Sequence, residues 1–289
     1  PGTRLNRPGY VLVDGDGNLV GLQESFPNAF VLTPEGVAES LQSETETNTL
    51  LDGRPVAALA RDDDVLVLTE SGDEARIGAL SLTDGVLEEV SSLTGPASDD
   101  WAAAFLDLPD GLFVQWDRTW WRLAGENDVN GVLGEPERVE SPVDGVIASA
   151  QTATGVLALT ETELVELDES LDVVQRHTWR MPEDAEGQTV TAAVSDGADG
   201  LVVATAGLPT STRNDSGSVL HITPTAVTVL ATGHKPASEA STDCEDGDVD
   251  AQSSHLAQPV SVAVWEERIM IADYRCNAVL QLPLPDTTG

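Results

Sequence analysis

The sequence predicts an all-β fold, a six-bladed β-propeller with four-stranded antiparallel blades, on three observations. Short segments in which apolar residues alternate with polar or small ones recur along the whole chain, and this period of two is typical of strands. The segments group into six similar units. Glycine and aspartate mark most of the tight turns between them, as in Asp84-Gly85.

The repeat is clearest in the second strand of each unit. These strands recur about every 45 residues, with one longer interval before the last, and begin near Leu19, Val65, Leu112, Val156, Leu201 and Ile269. Several short antiparallel strands per unit at this period indicate one propeller domain over residues 1–289. Its predicted blades are 10–42, 56–93, 101–141, 146–180, 189–232 and 259–282.

The sixth unit has only three predicted strands, and the short segment 3–6 stands ahead of the first strand of unit one. An unpaired sheet edge is a template for association with other chains. We therefore expect 3–6 to supply the fourth strand of the last blade and to close the ring. A truncated ring is the alternative.

The chain is strongly acidic. Its 50 Asp and Glu residues against 14 Lys and Arg residues give a formal net charge of −36. Such a surface repels a polyanion, so nucleic acid is not expected as a partner. No apolar run approaches the ~18 residues of a membrane-spanning helix. We expect a monomer.

The two cysteines, Cys244 and Cys276, do not form a Cys-x-x-Cys pair, and no histidine lies at zinc-ligand spacing from either. A disulfide between them is the favoured state, and disulfides persist outside the cytoplasm. We expect an extracytoplasmic protein, anchored to a membrane through an N-terminal signal or lipid-anchor region that has been removed. The bond would either hold a lid in place or stabilise an inserted loop.

Three long connections, 43–55, 206–217 and 233–258, are predicted at one face of the ring, around one mouth of the central channel. Loops of this length are usually functional or disordered. The predicted ligand site at this mouth contains five residues, Arg180, Arg213, Lys235, His234 and His255. Arginine suits bidentate contact with phosphate, so the three cations are expected to meet an anionic or sugar head group.

The predicted channel-lining strands are rich in small apolar residues, including Ala57, Ala148, Ala192 and Ala263. Two interpretations are open. Converging strands leave room only for small side chains, or these residues line an apolar cavity for an acyl chain. Each buried methylene of such a chain gains ~0.8 kcal/mol.

Catalysis is not predicted, because the six predicted first strands carry no carboxylate that could hold a metal in the channel. Asp246, Asp248 and Asp250 have the opening spacing of a calcium loop and are the candidate ligands of a structural calcium ion. The segment 14–18 shares that spacing but is predicted to be a hairpin turn. No other cofactor is expected.

Three tryptophans, Trp116, Trp120 and Trp121, flank the predicted hairpin of unit three. Strand alternation sends Trp120 and Trp121 to opposite faces of the sheet. Packing between blades is one role for them, and contact with a sugar or a protein is the other.

The sixth unit resembles the NHL-type propeller repeat. The resemblance is carried by Pro259, Val262-Ala263-Val264, Ile269, Ile271-Ala272-Asp273, Asn277 and Val279. Ser261 stands where that repeat usually has glycine. The resemblance to the NHL-type repeat covers about thirty residues closely. The other units match that repeat only through their strand pattern.

The acidic, lysine-poor chain of six units also resembles envelope lipoproteins of mycolate-making actinobacteria. In those proteins a propeller is associated with trehalose-mycolate and envelope-lipid assembly. The resemblance implies a non-enzymatic protein that binds a lipid or glycolipid and works with an envelope membrane protein. A protein-interaction or sensor ectodomain is the alternative, and a metal-dependent hydrolase is a third.

Overall fold

The computed structural model describes residues 8–23, 28–42, 53–61, 64–83, 85–95, 102–123, 133–207, 217–233 and 256–285. Within these ranges the chain is all-β, apart from a 3-10 turn at Glu183–Ala185. Its strands form six separate antiparallel sheets, and the predicted fold class is confirmed. No helix in the described ranges is long and apolar enough to cross a membrane.

The first five sheets each contain four strands that follow one another in sequence, and the sixth contains three described strands. Blade one comprises β1 (Pro8–Val13), β2 (Leu19–Gln23), β3 (Asn28–Leu32) and β4 (Ala38–Gln42). Blade two comprises β5 (Arg54–Arg61), β6 (Asp64–Ser71), β7 (Glu74–Ser81) and β8 (Leu87–Thr94). Blade three comprises β9 (Ala104–Leu108), β10 (Gly111–Trp116), β11 (Thr119–Leu123) and β12 (Pro136–Val139).

Blades four to six continue the same order. Blade four comprises β13 (Val146–Thr152), β14 (Gly155–Thr160), β15 (Glu163–Asp168) and β16 (Val173–Thr178). Blade five comprises β17 (Gln188–Ser195), β18 (Leu201–Gly207), β19 (Gly217–Ile222) and β20 (Val227–Thr232). Blade six comprises β21 (Pro259–Trp265), β22 (Arg268–Asp273) and β23 (Ala278–Pro283).

The first strand of each blade is the innermost one. Each first strand lies beside the first strand of the next blade, and β21 lies beside β1, so these six strands form a closed ring. In β1, β5, β13, β17 and β21 the pairing with the second strand shifts register near the start of the strand. Such bulges bend and twist a strand locally, which suits strands that converge on one axis.

The second strand of each blade is buried on both faces, and its side chains alternate between the two neighbouring blades. In β18, for example, Leu201 and Val203 pack with blade four, whereas Val202 and Ala204 pack with blade six. This explains why the second strands are almost continuously apolar although strand geometry alternates the direction of successive side chains.

The hydrophobic core consists of six clusters, one between each pair of adjacent blades. The cluster that closes the ring joins Val11 and Leu19 of blade one to Ala263 and Trp265 of blade six. Closure therefore includes direct packing of the last blade on the first. The predicted closing strand 3–6 lies outside the described residues and stays a prediction.

Polar side chains connect the inner strands next to these clusters. Val11 N donates to Ser261 Oγ at 3.2 Å, and that hydroxyl donates to Val11 O at 3.3 Å. Trp265 Nε1 donates to Gly17 O at 2.8 Å, also across the boundary between blades six and one. Between blades five and six, Thr191 Oγ1 donates to Pro259 O at 2.7 Å. These bonds satisfy backbone groups on the strand edges that face away from the second strands.

Three of the small residues predicted to line the channel are buried between blades. Ala57 packs between blades two and three, Ala148 between four and five, and Ala192 between five and six. Their size lets adjacent inner strands approach closely, which supports the steric interpretation for these positions.

The segment 14–18 forms the turn between β1 and β2, as predicted. Asp14 Oδ1 accepts hydrogen bonds from the backbone nitrogens of Asp16, at 3.0 Å, and Asn18, at 2.8 Å. Asp14 Oδ2 accepts a third from Asn18 Nδ2 at 2.9 Å. The carboxylate is thus occupied within its own turn.

We predict that Ser261→Ala lowers the free energy of unfolding by about 1–3 kcal/mol, because it leaves the buried N–H and C=O of Val11 without partners. Urea denaturation followed by tryptophan fluorescence measures the change. Ser92→Ala, at an exposed position on β8, is the matched control and is expected to change stability by less than about 0.5 kcal/mol. Equal stability of the two variants would contradict the proposed contribution of Ser261 to ring closure.

Candidate functional site

Two residues of the predicted ligand and disulfide sites fall within the described part of the chain. Arg180 follows β16 and is exposed, and Cys276 lies in the turn between β22 and β23. The others lie outside the described residues: Arg213, Lys235, His234, His255, Cys244, Asp246, Asp248 and Asp250. Their predicted roles stay predictions.

Arg180 lines a groove of about 560 Å³ between blades four and five. Blade four contributes the turn before β15 and the chain that leaves β16, and blade five contributes the turn between β19 and β20. No residue of the six inner strands is in its lining, which consists of Thr162, Thr178, Trp179, Arg180, Thr223, Thr225, Ala226 and Val227. The groove therefore combines one guanidinium and four hydroxyl groups with a small apolar surface.

Trp179 fixes the blade-four wall of the groove. Its indole is buried in the cluster between blades four and five, and its Nε1 donates to Thr160 O at 2.8 Å. Its backbone nitrogen donates to Thr162 O at 2.9 Å. The turn itself is held by Thr160 Oγ1, which accepts from the backbone nitrogens of Thr162 and Glu163. Arg180 therefore follows directly after a residue, Trp179, whose side chain and backbone are both held in place by hydrogen bonds.

The blade-five wall is a turn closed by Thr223. Its hydroxyl oxygen accepts from the backbone nitrogens of Ala226, at 3.1 Å, and Thr225, at 3.4 Å. Thr223 is therefore largely occupied within the turn. In contrast, the exposed hydroxyls of Thr162 and Thr178 form no hydrogen bond within the described part of the protein, so they can bind a ligand.

A buried hydrogen-bonded pair, Asp196 and His221, lies beside the blade-five wall. Asp196, in the turn after β17, accepts from His221 Nε2 at 2.7 Å through Oδ2. Its Oδ1 accepts from the backbone nitrogens of Ala198, at 2.8 Å, and Gly200, at 3.1 Å. Gly200 is required here, because an added Cβ would lie 2.4 Å from Asp196 Oδ2. His221 is two residues before Thr223, so the pair fixes the strand that leads into the groove.

Burial by itself raises the pKa of Asp196, but the surrounding donors outweigh this effect. The hydrogen bond and positive charge of His221, with the backbone N–H groups of Ala198 and Gly200, stabilise the carboxylate. The pKa of Asp196 is consequently held below its ordinary value.

The electrostatic feature of the groove is that Arg180 has no anionic partner in the part of the chain that the structure describes. Its guanidinium forms no ion pair or hydrogen bond within the described residues. The nearby carboxylates of the β14–β15 turn have other partners: Glu161 lies 3.8 Å from Arg118, and Glu163 lies 2.7 Å from Arg176. Glu183 and Asp184 of the 3-10 turn are exposed. Arg180 is therefore available to an anion or to ligand hydroxyls.

Sequence reasoning predicted Arg180 at the mouth of the central channel and named none of the other residues that line the groove between blades four and five. Thr162 lies just before β15 and Thr178 lies at the end of β16, which pairs with β15. Thr225 is far along the chain, in blade five, so only the ring brings it close to the other two. The Asp196–His221 pair was also missed, because neither residue belongs to a repeated spacing. The one local signal was the density of threonine at turns.

A second buried carboxylate organises the region around Cys276. Asp273 accepts from the backbone nitrogens of Ala257 at 2.8 Å, Cys276 at 3.1 Å and Gln258 at 3.2 Å. Burial raises its pKa, and the backbone donors partly offset this. Asp273 thus ties the turn that holds Cys276 to the chain that enters β21, at the end of the predicted long loop 233–258.

No group of three or more His, Cys, Asp or Glu side chains suited to a metal ion is present among the described residues. The predicted calcium ligands lie outside those residues, so the calcium site stays a prediction.

Comparison with known proteins gives information about the fold. No protein-family model matches the sequence, and no curated protein matches it. Among solved structures, a putative 6-phosphogluconolactonase from Bacteroides uniformis is 13% identical, with a TM-score of 0.56 over 100% of this chain and 84% of that one. An auxiliary nutrient binding protein from Bacteroides thetaiotaomicron is 12% identical, with a TM-score of 0.58 over 96% of this chain and 69% of that one.

A catalytically inactive virginiamycin B lyase from Staphylococcus aureus is also similar. It is 12% identical, with a TM-score of 0.50 over 100% of this chain and 88% of that one. These likenesses show the propeller fold alone. They include a lyase, a putative lactonase and a binding protein, so the fold does not by itself decide between catalysis and binding.

We predict that the stabilising effect of Asp196 depends on pH. Because its folded-state pKa is lowered, its contribution is complete above the unfolded pKa of about 3.9 and is lost as pH falls through the folded value. Asp196→Asn should therefore lower the free energy of unfolding by about 1–3 kcal/mol at pH 6, and the difference from wild type should shrink below about pH 4.

Urea denaturation at a series of pH values measures this difference. Asp199→Asn removes the same charge from an exposed position in the same turn and is the matched control. A gap between wild type and Asp196→Asn that stays constant from neutral to acid pH would contradict the assignment.

Proposed function

We propose that this chain is a non-catalytic, extracytoplasmic binding propeller that recognises the head group of a lipid or glycolipid and assists envelope-lipid assembly or transport. The observation that supports it most directly is the Arg180 guanidinium, which has no ion pair among the described residues and lies in a groove lined with hydroxyl groups.

The chemistry of the groove suits a head group that carries oxygen atoms. A guanidinium donates in a planar, forked geometry to phosphate, carboxylate or paired sugar hydroxyls. Threonine hydroxyls both donate and accept, which matches the hydroxyls of a sugar. Val227 and the edge of Trp179 add apolar surface for the carbon face of such a ring. The groove has only a small apolar surface, so the acyl chains of such a ligand would remain outside it.

The lining of the groove supports a binding role, because it offers a guanidinium and hydroxyl groups and contains no carboxylate or histidine. The nutrient binding protein that shares this fold is consistent with a binding role, whereas the lyase and the putative lactonase are the reason to assay hydrolysis alongside. A stoichiometric metal ion in the purified protein would favour a metal-dependent hydrolase.

We predict that Arg180→Gln weakens binding of the protein to phosphatidylcholine vesicles that contain a trehalose glycolipid or an anionic phospholipid by about ten- to a hundredfold. The expected loss is that of one or two charge-assisted hydrogen bonds. Vesicle co-sedimentation and tryptophan fluorescence titration give the affinity, and the two vesicle types separate a sugar from an anionic head group.

Arg138→Gln is the matched control, since Arg138 is exposed on β12, has no ion pair among the described residues and carries the same charge. Wild-type affinity is expected for it. Equal weakening of both variants would indicate a general charge effect, and absence of binding by the wild-type protein to every vesicle would remove the proposal.

The proposed extracytoplasmic location includes a disulfide between Cys244 and Cys276. None of the described cysteines is free. Peptide mapping without reductant is expected to recover the two cysteines in one linked pair, and the bond is expected to contribute roughly 3–4 kcal/mol. Recovery of alkylated Cys276 from the native, unreduced protein would contradict it. Cys276→Ser and Cys244→Ser should lower stability equally if the residues are partners.

A further inference from the structure

Unpaired buried donors occur together in the hairpin of β10 and β11. Gln115 and Trp120 lie directly opposite each other on these two strands. Opposite residues of an antiparallel pair project to the same face of the sheet. This face packs on blade four: Trp120 belongs to the cluster that contains Val156 and Val165, and Ser149 Oγ donates to Gln115 Oε1 at 3.3 Å.

Both side chains are almost completely inaccessible, with Gln115 1% exposed and Trp120 0% exposed. Even so, Gln115 Nε2 and Trp120 Nε1 have no hydrogen-bond acceptor within the described ranges of the chain. The indoles of Trp179 and Trp265, in contrast, both donate to backbone carbonyls at 2.8 Å. Trp121 Nε1, on the opposite face of β11, is the third buried side-chain nitrogen without an acceptor among the described residues, so the unpaired donors belong to this hairpin and not to every tryptophan.

The surroundings of these donors are apolar. The side chains clustered around Trp120 are valine, leucine, alanine and phenylalanine. Buried donors in folded proteins are almost always satisfied, by protein groups or by internal water. Two donors that project from adjacent strands toward the same interface call for an acceptor that both can reach.

We propose that blades three and four hold a buried water that accepts hydrogen bonds from Gln115 Nε2 and Trp120 Nε1. Water fits this site better than an anion does, because both donors are neutral and an uncompensated buried charge is costly. Arg118, the cation of the same hairpin, is already paired with Glu161 on the surface. The water can donate a hydrogen bond to Ser149 Oγ or to Gln115 Oε1. With the two donors, this gives it the three partners typical of internal water.

Bound there, the water connects the hairpin to blade four in the buried interface. The ion pair of Arg118 and Glu161 connects the same two blades at the surface. The turn between them has two consecutive residues with positive φ, Asp117 at 50° and Arg118 at 57°. The interface thus positions a strained turn at the rim of the ring through polar contacts as well as packing.

Nuclear magnetic resonance tests the proposal on the intact, ¹⁵N-labelled protein. The indole proton of Trp120 is expected to show direct cross-relaxation with a long-lived water, and the indole protons of Trp179 and Trp265 are expected to show none. Trp120→Phe assigns the resonance. A Trp120 indole without a water cross-peak would overturn the proposal.

The near-isosteric variant Gln115→Met gives a second test through the sign of its effect when it is made in a Ser149→Ala background, where the hydrogen bond between Ser149 and Gln115 is absent from both proteins compared. If the water is bound, the variant removes a satisfied hydrogen bond, and its thermal midpoint should fall by about 2–4 °C. If the donors are unpaired in an apolar interface, replacing the amide by a thioether should raise the midpoint, and this result would overturn the proposal.

A crystal structure distinguishes a water at this site from a reoriented Gln115 amide and from a bound anion. Electron density for one water within hydrogen-bonding distance of both nitrogens confirms the site. Direct contact between Trp120 Nε1 and a reoriented Gln115 amide oxygen, or an anomalous bromide peak at this position after a soak, would each overturn it.

Discussion

Every blade of this propeller must bury both of its faces, and the rest of the structure depends on that requirement. The second strands are apolar on both sides, so each interblade cluster needs two adjacent blades to be complete. An open ring would leave two such faces in contact with water. The boundary between blades six and one is therefore as important as any other, and Ser261 and Trp265 add hydrogen bonds across it. Ser261 stands where the NHL-type repeat usually has glycine, and its hydroxyl satisfies the edge of β1.

The closed ring allows the turns at its rim to carry polar groups. Turns that are hydrogen-bonded within themselves, such as those closed by Thr160 and Thr223, need little support from the core. Two of them, one from each blade, form the groove that holds Arg180. Buried carboxylates strengthen this arrangement, since Asp196 fixes the strand beside the groove and Asp273 fixes the turn that contains Cys276. Polar contacts of this kind position a site, whereas apolar packing forms the ring.

Arg180 is distinguished by the groups around it. Arg118, Arg176 and Arg54 have carboxylate partners. Arg138, like Arg180, has no ion pair among the described residues. Of these five arginines, only Arg180 lies in the groove lined with hydroxyl groups. A guanidinium in that setting suits anionic or hydroxyl-rich ligands.

The sequence alone determined the strands, the six units and the ring, because alternation and repeat spacing are local properties that any single unit displays. It also predicted the hairpin turn at 14–18. Only the tertiary structure decided which distant side chains come together: Thr162 and Thr225 line one groove, Asp196 bonds His221 within blade five, and Gln115 bonds Ser149 across blades. These pairs share no sequence period, since their contacts depend on how closely converging blades approach, and small inner-strand residues such as Ala148 set that distance. A pattern of period two specifies which face of a strand is buried, and the ring specifies what that face contacts.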